Sequence, residues 1–227
     1  MKIYYIYTAL VTKGGSPNSV FQKTAIVLLG ENELAMYAFK NNQVFHVSVC
    51  NHLIDLSFLR QTGVRFIDVS YWEDMTYTIE LVTKVTNAVL LDDVTYHYIR
   101  HQGSLSHYQT PEKLEKQEIL RNVSVIHSLK EKCRAMQGKP FLPYLSYNLE
   151  MNSFYAVCYI MRYSSRITPK MTSSEMHSIL RHPIPMAEIL KFRHKKFSNL
   201  VFWVISNLPI PLFIPSIWLL GKINSSI

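Results

Sequence analysis

The pattern of this sequence changes at Thr110-Pro111. Before this dipeptide, short apolar runs typical of strands alternate with short amphipathic helices, and after it the patterns are helical. Threonine caps helices well and proline fits the first helical position, so a long helix is expected to begin here. The chain is therefore predicted to be α/β, as an α+β-like region with a small mixed sheet, followed by a helical C-terminal region.

Three regions are expected on this basis: an α/β domain over residues 1–110, a helical extension over residues 111–190, and a basic and apolar tail over residues 191–227. Within the first region, apolar and β-branched runs predict strands at 3–11, 44–50, 64–69, 88–91 and 94–99. Short helices are predicted at 31–41 and 53–60, and another after Ser70, where Trp72, Met75, Ile79 and Val82 repeat at helical spacing.

The helical region is expected to contain three helices. The first keeps an apolar stripe and ends at Gly138 and Pro140, the second covers residues 145–163, and the third starts at Ser173 and is broken at His182-Pro183.

The formal net charge of the chain is +8, which favours a polyanionic partner such as a membrane surface, a nucleotide phosphate or a nucleic acid. The basic residues gather next to an apolar tail and not along a helix with interleaved aromatic residues, so no nucleic acid is expected as a partner. The three cysteines are widely separated and form no metal-binding spacing, which is typical of reduced thiols in a cytosol.

Trp72-Glu73-Asp74 stands between an apolar run and a helix start. Two adjacent carboxylates beside an aromatic ring can hold a general base at the mouth of a site. The same residues also fit a purely structural pattern, because Ser70 and Glu73 have the spacing of a helix capping box and Asp74 would favour the helix N-terminus.

A second candidate lies between Tyr96 and Ser104, where alternation places Tyr98 and Arg100 on one strand face before a Gly-Ser loop. An arginine at a strand end can bind a phosphate or carboxylate through two hydrogen bonds. The alternative is an edge strand with a solvated arginine.

The nine histidines form no HExxH or comparable motif, so no metal site is expected. No serine or cysteine nucleophile motif and no phosphate-binding glycine loop occur either.

Four segments, taken in order, resemble the family 2 glycosyltransferases with the GT-A fold that build bacterial capsules and exopolysaccharides. They are GENELAMYAF, VCNHLIDLSFLRQTGVRF, SYWEDMTYTIEL and VTYHYIRHQGSLSH, and together they cover residues 31–107, about a third of the chain. The resemblance implies a partial GT-A fold over the acceptor-side portion.

The resemblance also implies roles for particular residues. Asp74 matches the acidic residue that deprotonates the acceptor hydroxyl in the family, with Glu73 beside it. Trp72, Tyr98, Arg100 and Ser104 are the matching candidates for substrate binding. His52 stands where lysine is common in the family, and Arg100 follows Tyr98 by two residues where the family often has it directly after.

The family's N-terminal strand, Asp-Gly-Ser loop and Asp-x-Asp motif have no counterpart here, since the adjacent aspartates Asp92-Asp93 come after the Glu-Asp pair. These missing parts hold a nucleotide-sugar and a divalent metal, Mg or Mn, in a complete enzyme. No cofactor is therefore expected within this chain, and a donor-binding partner chain would have to supply that half.

The tail combines a basic run with the 21 residues Leu200–Leu220, which are almost wholly apolar but contain three prolines and Asn207. A helix–proline–helix lying in the membrane interface is expected, with a packed hairpin and a true membrane span as the alternatives. The residues expected to contact the membrane are Lys191, Arg193, Lys195, Lys196, Trp203 and Trp218, with Phe197 and Phe213 at the same boundary.

Two functions are compatible with these observations. The first is a glycosyltransferase-like protein of surface polysaccharide biosynthesis, peripheral to the cytoplasmic membrane face, which transfers a sugar to a glycan or lipid-linked acceptor when a partner binds the donor. The second is a catalytically incomplete, truncated or split, membrane-associated module that binds a glycan or a protein.

Overall fold

The computed structural model describes residues 4–7, 10–11, 26–41, 48–69, 72–91, 97–98 and 113–224, and of these only the backbone of 4–7, 10–11, 97–98 and 220–224. The chain divides into two compact units, residues 1–110 and residues 111–227. Over the described residues the fold is mixed α/β and mostly helical. The residues expected to form a separate tail belong to the same unit as the helices before them.

The first unit contains a four-stranded mixed sheet. Its strands are β1 (Tyr4–Tyr7), β3 (Ile26–Leu29), β4 (His52–Leu53) and β5 (Asn87–Leu91), in the order β3-β5-β1-β4. The strand β1 runs parallel to β5 and antiparallel to β4, and β3 runs antiparallel to β5. A separate parallel pair joins β2 (Leu10–Val11) to β6 (His97–Tyr98).

The central position of β5 follows from its sequence. Ala88, Val89 and Leu90 are all buried, as expected of a strand that is covered on both sides. The edge strand β3 alternates between half-buried and exposed residues, as a strand at the edge of a sheet does. The predicted strand at 88–91 is therefore confirmed.

The described residues of this unit form three α-helices: α1 (Glu33–Lys40), α2 (Leu56–Thr62) and α3 (Glu73–Val82). Leu34, Ala38 and Phe39 of α1 are buried, as their spacing predicts. The turn before α1 needs a glycine, because Gly30 has a φ of 122° while its N–H donates to the carbonyl of Thr86 at 2.7 Å.

The strand predicted at 64–69 is wrong, and the one predicted at 44–50 lies mostly outside the described residues. Val49–Asn51 is a 3-10 helix, while residues 42–47 lie outside the described part of the chain. Residues 64–69 form no strand, because the segment turns back on itself with a hydrogen bond from the Val69 N–H to the Ile67 carbonyl. Its aromatic residue Phe66 instead stacks on Tyr77 of α3, with ring centroids 4.3 Å apart.

The second unit is mostly helical. It contains α4 (Lys116–Arg134), α5 (Leu142–Arg162), α6 (Ser173–Ile179), α7 (Met186–Ile189), α8 (Lys196–Ser206) and α9 (Ile210–Asn224). The helix α5 contacts α4, α6, α8 and α9, so the unit is arranged around it.

The first long helix begins later than predicted. Residues 110–112 lie outside the described part of the chain, and Leu114–Glu115 form the strand β7, which pairs in parallel with β8 (Ile167–Thr168). This pairing uses backbone groups that a helix starting at Pro111 would need, so α4 begins at Lys116.

The third helix, α6, starts with a complete capping box. The Thr172 hydroxyl accepts from the Glu175 N–H, and the Glu175 carboxylate accepts from the Thr172 N–H at 2.7 Å. Lys116 of α4 lies 2.6 Å from the same carboxylate. The Lys116 hydrogen bond, followed by the Thr172 N–H, lowers the pKa of Glu175 to about 2.

A buried ion pair connects three segments of this unit. The Lys130 ammonium on α4 donates to the Glu150 carboxylate on α5 at 3.0 Å, and also to the carbonyls of Ile179 and Arg181. Burial lowers the pKa of Lys130 and raises that of Glu150, whereas their attraction opposes both shifts.

The C-terminal helices α8 and α9 pack on this unit through one face. Asn199 is fully buried on α8, where it accepts from the Ser146 hydroxyl at 2.6 Å and donates to the Lys195 carbonyl. Phe213 on α9 is also fully buried, with its ring edge against His177. None of the helices within the described residues combines the length and apolar character needed to cross a membrane.

Candidate functional site

The start of α3 is shaped by an unusual backbone conformation. Trp72 is the N-cap residue and has a φ of 69°, in the left-handed region that bulky residues rarely adopt. The Trp72 carbonyl accepts from both the N–H and the hydroxyl of Thr76, at 3.1 and 3.0 Å. Such conformations destabilise a fold by about 1–3 kcal/mol and are often found at functional sites.

The predicted capping box at this helix is wrong. The helix begins at Glu73, so Glu73 is its first residue and cannot act as the third residue that a capping box requires. Ser70, the other predicted member, lies outside the described residues. Glu73 and Asp74 therefore occupy the first turn, where carboxylates interact favourably with the helix N-terminus.

Asp74 lies against the 3-10 helix formed by Val49–Asn51. Burial, followed by the neighbouring charge of Glu73, raises the pKa of Asp74, whereas a hydrogen bond from the Val49 N–H opposes this rise. The carboxylate is thus partly desolvated but still held by a backbone donor. A carboxylate in this state is a stronger base than one in water.

The same 3-10 helix carries a second polar group. Asn51 is buried, and its Oδ1 atom has no hydrogen-bond partner among the described residues. Buried side-chain oxygens without a partner are uncommon in folded proteins and call for a ligand, a water or a functional reason. Val49 and Asp74, which are distant in the sequence, are thus neighbours here.

The remaining substrate-binding candidates of this unit are only partly located. The backbone of Tyr98 lies in β6, paired with Val11 of β2. Arg100 and Ser104 lie outside the described residues. Their predicted role at the site remains a prediction.

The candidate membrane contacts lie in the second unit. The four predicted cations are exposed: Lys191, Arg193, Lys195 and Lys196. Lys191 pairs with Glu188 at 2.9 Å, and the Lys195 ammonium lies 4.3 Å from the ring centroid of Tyr147.

The predicted aromatic contacts of the tail divide between surface and interior. Phe197 is 79% exposed and Trp218 is 56% exposed, whereas Trp203 is partly buried. Phe213 is 0% exposed, so its expected place at the membrane boundary is wrong. Four-residue spacing puts Phe213 on the inner side of α9 together with Ile217, which is also fully buried.

A metal site is not formed by the described residues, among which no three His, Cys, Asp or Glu side chains come together as a metal-binding group.

Sequence reasoning missed a row of tyrosines on α5. Residues 145–163 read as a generally apolar helix, yet Tyr155 and Tyr159 are 54% and 41% exposed. The signal was their four-residue spacing, which continues to Tyr163 and places three rings on one side of the helix.

Comparison with protein families, with curated proteins and with solved structures found no significant match to this chain.

Proposed function

We propose that this chain is the acceptor-side part of a glycosyltransferase-like protein of surface polysaccharide biosynthesis. In this role it transfers a sugar from a nucleotide-sugar to a glycan or lipid-linked acceptor, and it works with a partner chain that binds the donor. Asp74 is the general base. The partial GT-A fold belongs to the same proposal, since the observed fold is mixed α/β with a small mixed sheet.

The observation that carries the proposal is the environment of Asp74. Burial, followed by the charge of Glu73, raises its pKa, which strengthens it as a base, whereas a hydrogen bond from the Val49 backbone opposes this rise. Buried Asn51 offers an oxygen without a partner on the same 3-10 helix.

The reaction assigned to this site is a single displacement at the sugar. The Asp74 carboxylate takes the proton of the acceptor hydroxyl as its oxygen forms a bond to the anomeric carbon. The bond from that carbon to the nucleoside diphosphate breaks, and the diphosphate leaves with the electron pair. Stabilising this leaving group needs positive charge. We assign no step to a metal held by this chain.

The experiment that tests the proposal compares Asp74→Asn with Glu80→Gln. Both changes remove a carboxylate from α3, but Glu80 pairs with Lys84 one turn further along. Transfer of labelled sugar from nucleotide-sugars to the polysaccharide fraction is measured in membranes from expressing cells. Loss of a general base reduces such a rate by about 10²–10⁴-fold.

The proposal expects Asp74→Asn to lose transfer while its circular dichroism is unchanged, and Glu80→Gln to retain transfer. Equal transfer by the wild-type chain and Asp74→Asn would exclude Asp74 as the base. Calorimetry of the purified chain with UDP-sugars and Mn²⁺ tests the need for a partner. Saturable binding would mean that this chain holds its own donor site.

One observation favours a second candidate function. The tail presents exposed apolar residues, including Phe197 and Trp218, beside its basic run. These features fit a membrane-associated module, without transfer activity, that holds a glycan or a protein at the cytoplasmic membrane face. Membrane attachment is compatible with both candidates, so transfer by the wild-type chain separates them.

A further inference from the structure

The last two turns of α5 present a row of aromatic rings. Tyr155, Tyr159 and Tyr163 follow each other at four-residue spacing, so each lies about 6 Å further along one side of the helix. The rings of Tyr159 and Tyr163 touch, with centroids 4.7 Å apart and planes inclined by 54°. We call these three residues the tyrosine ladder.

The tyrosine ladder contributes little to the core of the second unit. Tyr155 and Tyr159 are exposed, while the buried residues of the same helix, such as Val157 and Ile160, point to the opposite side. Adjacent exposed aromatic rings are a typical feature of binding surfaces. Partial burial, followed by the neighbouring Tyr163, raises the pKa of Tyr159 above its ordinary value.

Positive charge borders the ladder. The Arg166 guanidinium lies 5.4 Å from the ring centroid of Tyr163, and Arg162 is the last residue of α5 and is exposed. Residues 151–174 contain no aspartate or glutamate. The surface thus combines apolar ring faces with guanidinium groups and without carboxylates from its own stretch of chain.

We propose that the tyrosine ladder, with Arg162 and Arg166, binds an acidic polysaccharide. This inference rests on the proposed function and specifies its acceptor as a chain of pyranose rings that carry carboxylate or phosphate groups. The C–H groups on one face of a pyranose are weakly positive and pack on the negative face of an aromatic ring. Guanidinium groups pair with carboxylate or phosphate through two parallel hydrogen bonds.

The ring geometry favours a polysaccharide over a single-stranded nucleic acid. Nucleic-acid bases are flat and stack on aromatic faces. Tyr159 and Tyr163 are inclined to each other and in contact, so no base-sized gap separates them. Two touching, inclined rings suit the puckered faces of successive sugars better.

The test is binding of fluorescently labelled polygalacturonate oligosaccharides to the full-length chain at physiological ionic strength. Neutral dextran oligosaccharides and poly(U) are the comparison probes. The proposal expects saturable binding of polygalacturonate, with dextran and poly(U) each at least roughly tenfold weaker. Absence of saturable polygalacturonate binding, or equal affinity for poly(U), would overturn it.

Single variants test whether polygalacturonate binds at the tyrosine ladder. Tyr159→Ala and Arg166→Gln are each expected to weaken polygalacturonate binding by roughly tenfold, since each removes one ring or one charged contact. Leu56→Ala removes an exposed apolar side chain from α2, in the other unit, and is expected to change nothing. Unchanged binding by both ladder variants contradicts the proposal.

Asp74→Asn separates this inference from the proposed function. If the variant binds polygalacturonate normally and the wild-type chain shows no sugar transfer, the proposed function is excluded, whereas polysaccharide binding by the tyrosine ladder is supported. If transfer occurs but polygalacturonate does not bind, the ladder proposal fails alone.

Discussion

At the scale of single residues, Trp72 and Asp74 both oppose the stability of the fold. Trp72 has a left-handed backbone, and Asp74 has a raised pKa. Because the folded pKa of Asp74 lies above its ordinary value of 3.8, the folded state holds this proton more tightly than the unfolded state. The resulting stabilisation is complete below pH 3.8 and is lost as the pH rises through the folded pKa. Unfavourable groups of this kind gather at functional sites.

The first prediction concerns the charge of Glu73. Glu73→Gln removes the second cause of the raised pKa of Asp74, so that pKa should fall but stay above 3.8, because burial remains. A carbon-detected NMR titration of the Asp74 carboxyl measures it directly. Glu80→Gln, on the same helix, is the matched control and should leave the Asp74 titration unchanged. An identical pKa in Glu73→Gln and wild-type protein would mean that the two carboxylates do not interact.

At the scale of elements, α8 and α9 have two different faces. The inner face packs on the rest of the second unit and includes Asn199, Phe213 and Ile217, which are all fully buried. The outer face leaves other apolar side chains in solvent, among them Phe197, Val204, Leu212, Trp218 and Leu219. Removing the whole segment would therefore expose the core of the second unit, so single exposed residues are the better test of membrane attachment.

The second prediction is that Phe197→Ser with Trp218→Ser releases the chain from anionic membranes. Burial of a large apolar side chain is worth about 2 kcal/mol, so the double change should reduce the partition coefficient by more than about tenfold. Sedimentation with vesicles of phosphatidylglycerol and phosphatidylethanolamine measures the bound fraction. Binding should also weaken as salt is raised, because Lys191 and Arg193 are exposed.

Leu56→Ser is the control for this experiment. Leu56 is an exposed leucine on α2, in the other unit, and its replacement should leave vesicle binding unchanged. If the Phe197/Trp218 variant sediments as the wild type does, the outer face of the hairpin is not a membrane contact.

At the scale of the whole molecule, the buried Lys130–Glu150 pair connects several segments of the second unit. It joins α4 to α5, to the carbonyl of Ile179 at the end of α6, and to the carbonyl of Arg181 beyond it. His127 and Arg134, on the same side of α4, also bond to carbonyls of residues 178 and 183. Basic side chains at the end of a helix satisfy its last carbonyls, so this row of side chains stabilises the end of α6.

The third prediction is that Lys130→Met is strongly destabilising while Lys130→Met with Glu150→Leu is less so. The single change leaves a buried carboxylate without its cation, which should lower the free energy of unfolding by about 3–5 kcal/mol. The double change replaces both charges by apolar groups and should recover part of that loss, since the carbonyls of Ile179 and Arg181 still lose their donor. Urea unfolding at neutral pH measures both variants, with Lys139→Met at an exposed position as the control. If Lys130→Met is as stable as the wild type, the ion pair does not stabilise the second unit.

Local sequence patterns predicted much of the fold correctly. The strand at β5 and the helix α1 follow from runs of apolar residues at the spacing of each element. Patterns failed where a neighbour in space decided the structure. Phe66 belongs to an apolar run, yet its stacking on Tyr77 leaves that run outside the sheet. The pairing of Leu114 with Ile167, 53 residues away, delays the start of α4.

Some features of the candidate site also follow from local sequence, whereas others depend on tertiary contacts. The sequence by itself determined that Glu73 and Asp74 open an amphipathic helix, because carboxylates at a helix start and apolar residues at helical spacing are local properties. Only the tertiary structure decided that Val49 donates to Asp74, that Trp72 adopts a left-handed backbone, and which face of the tail is buried. Desolvation, backbone strain and burial depend on residues distant in the chain, and spacing along one segment carries no information about them.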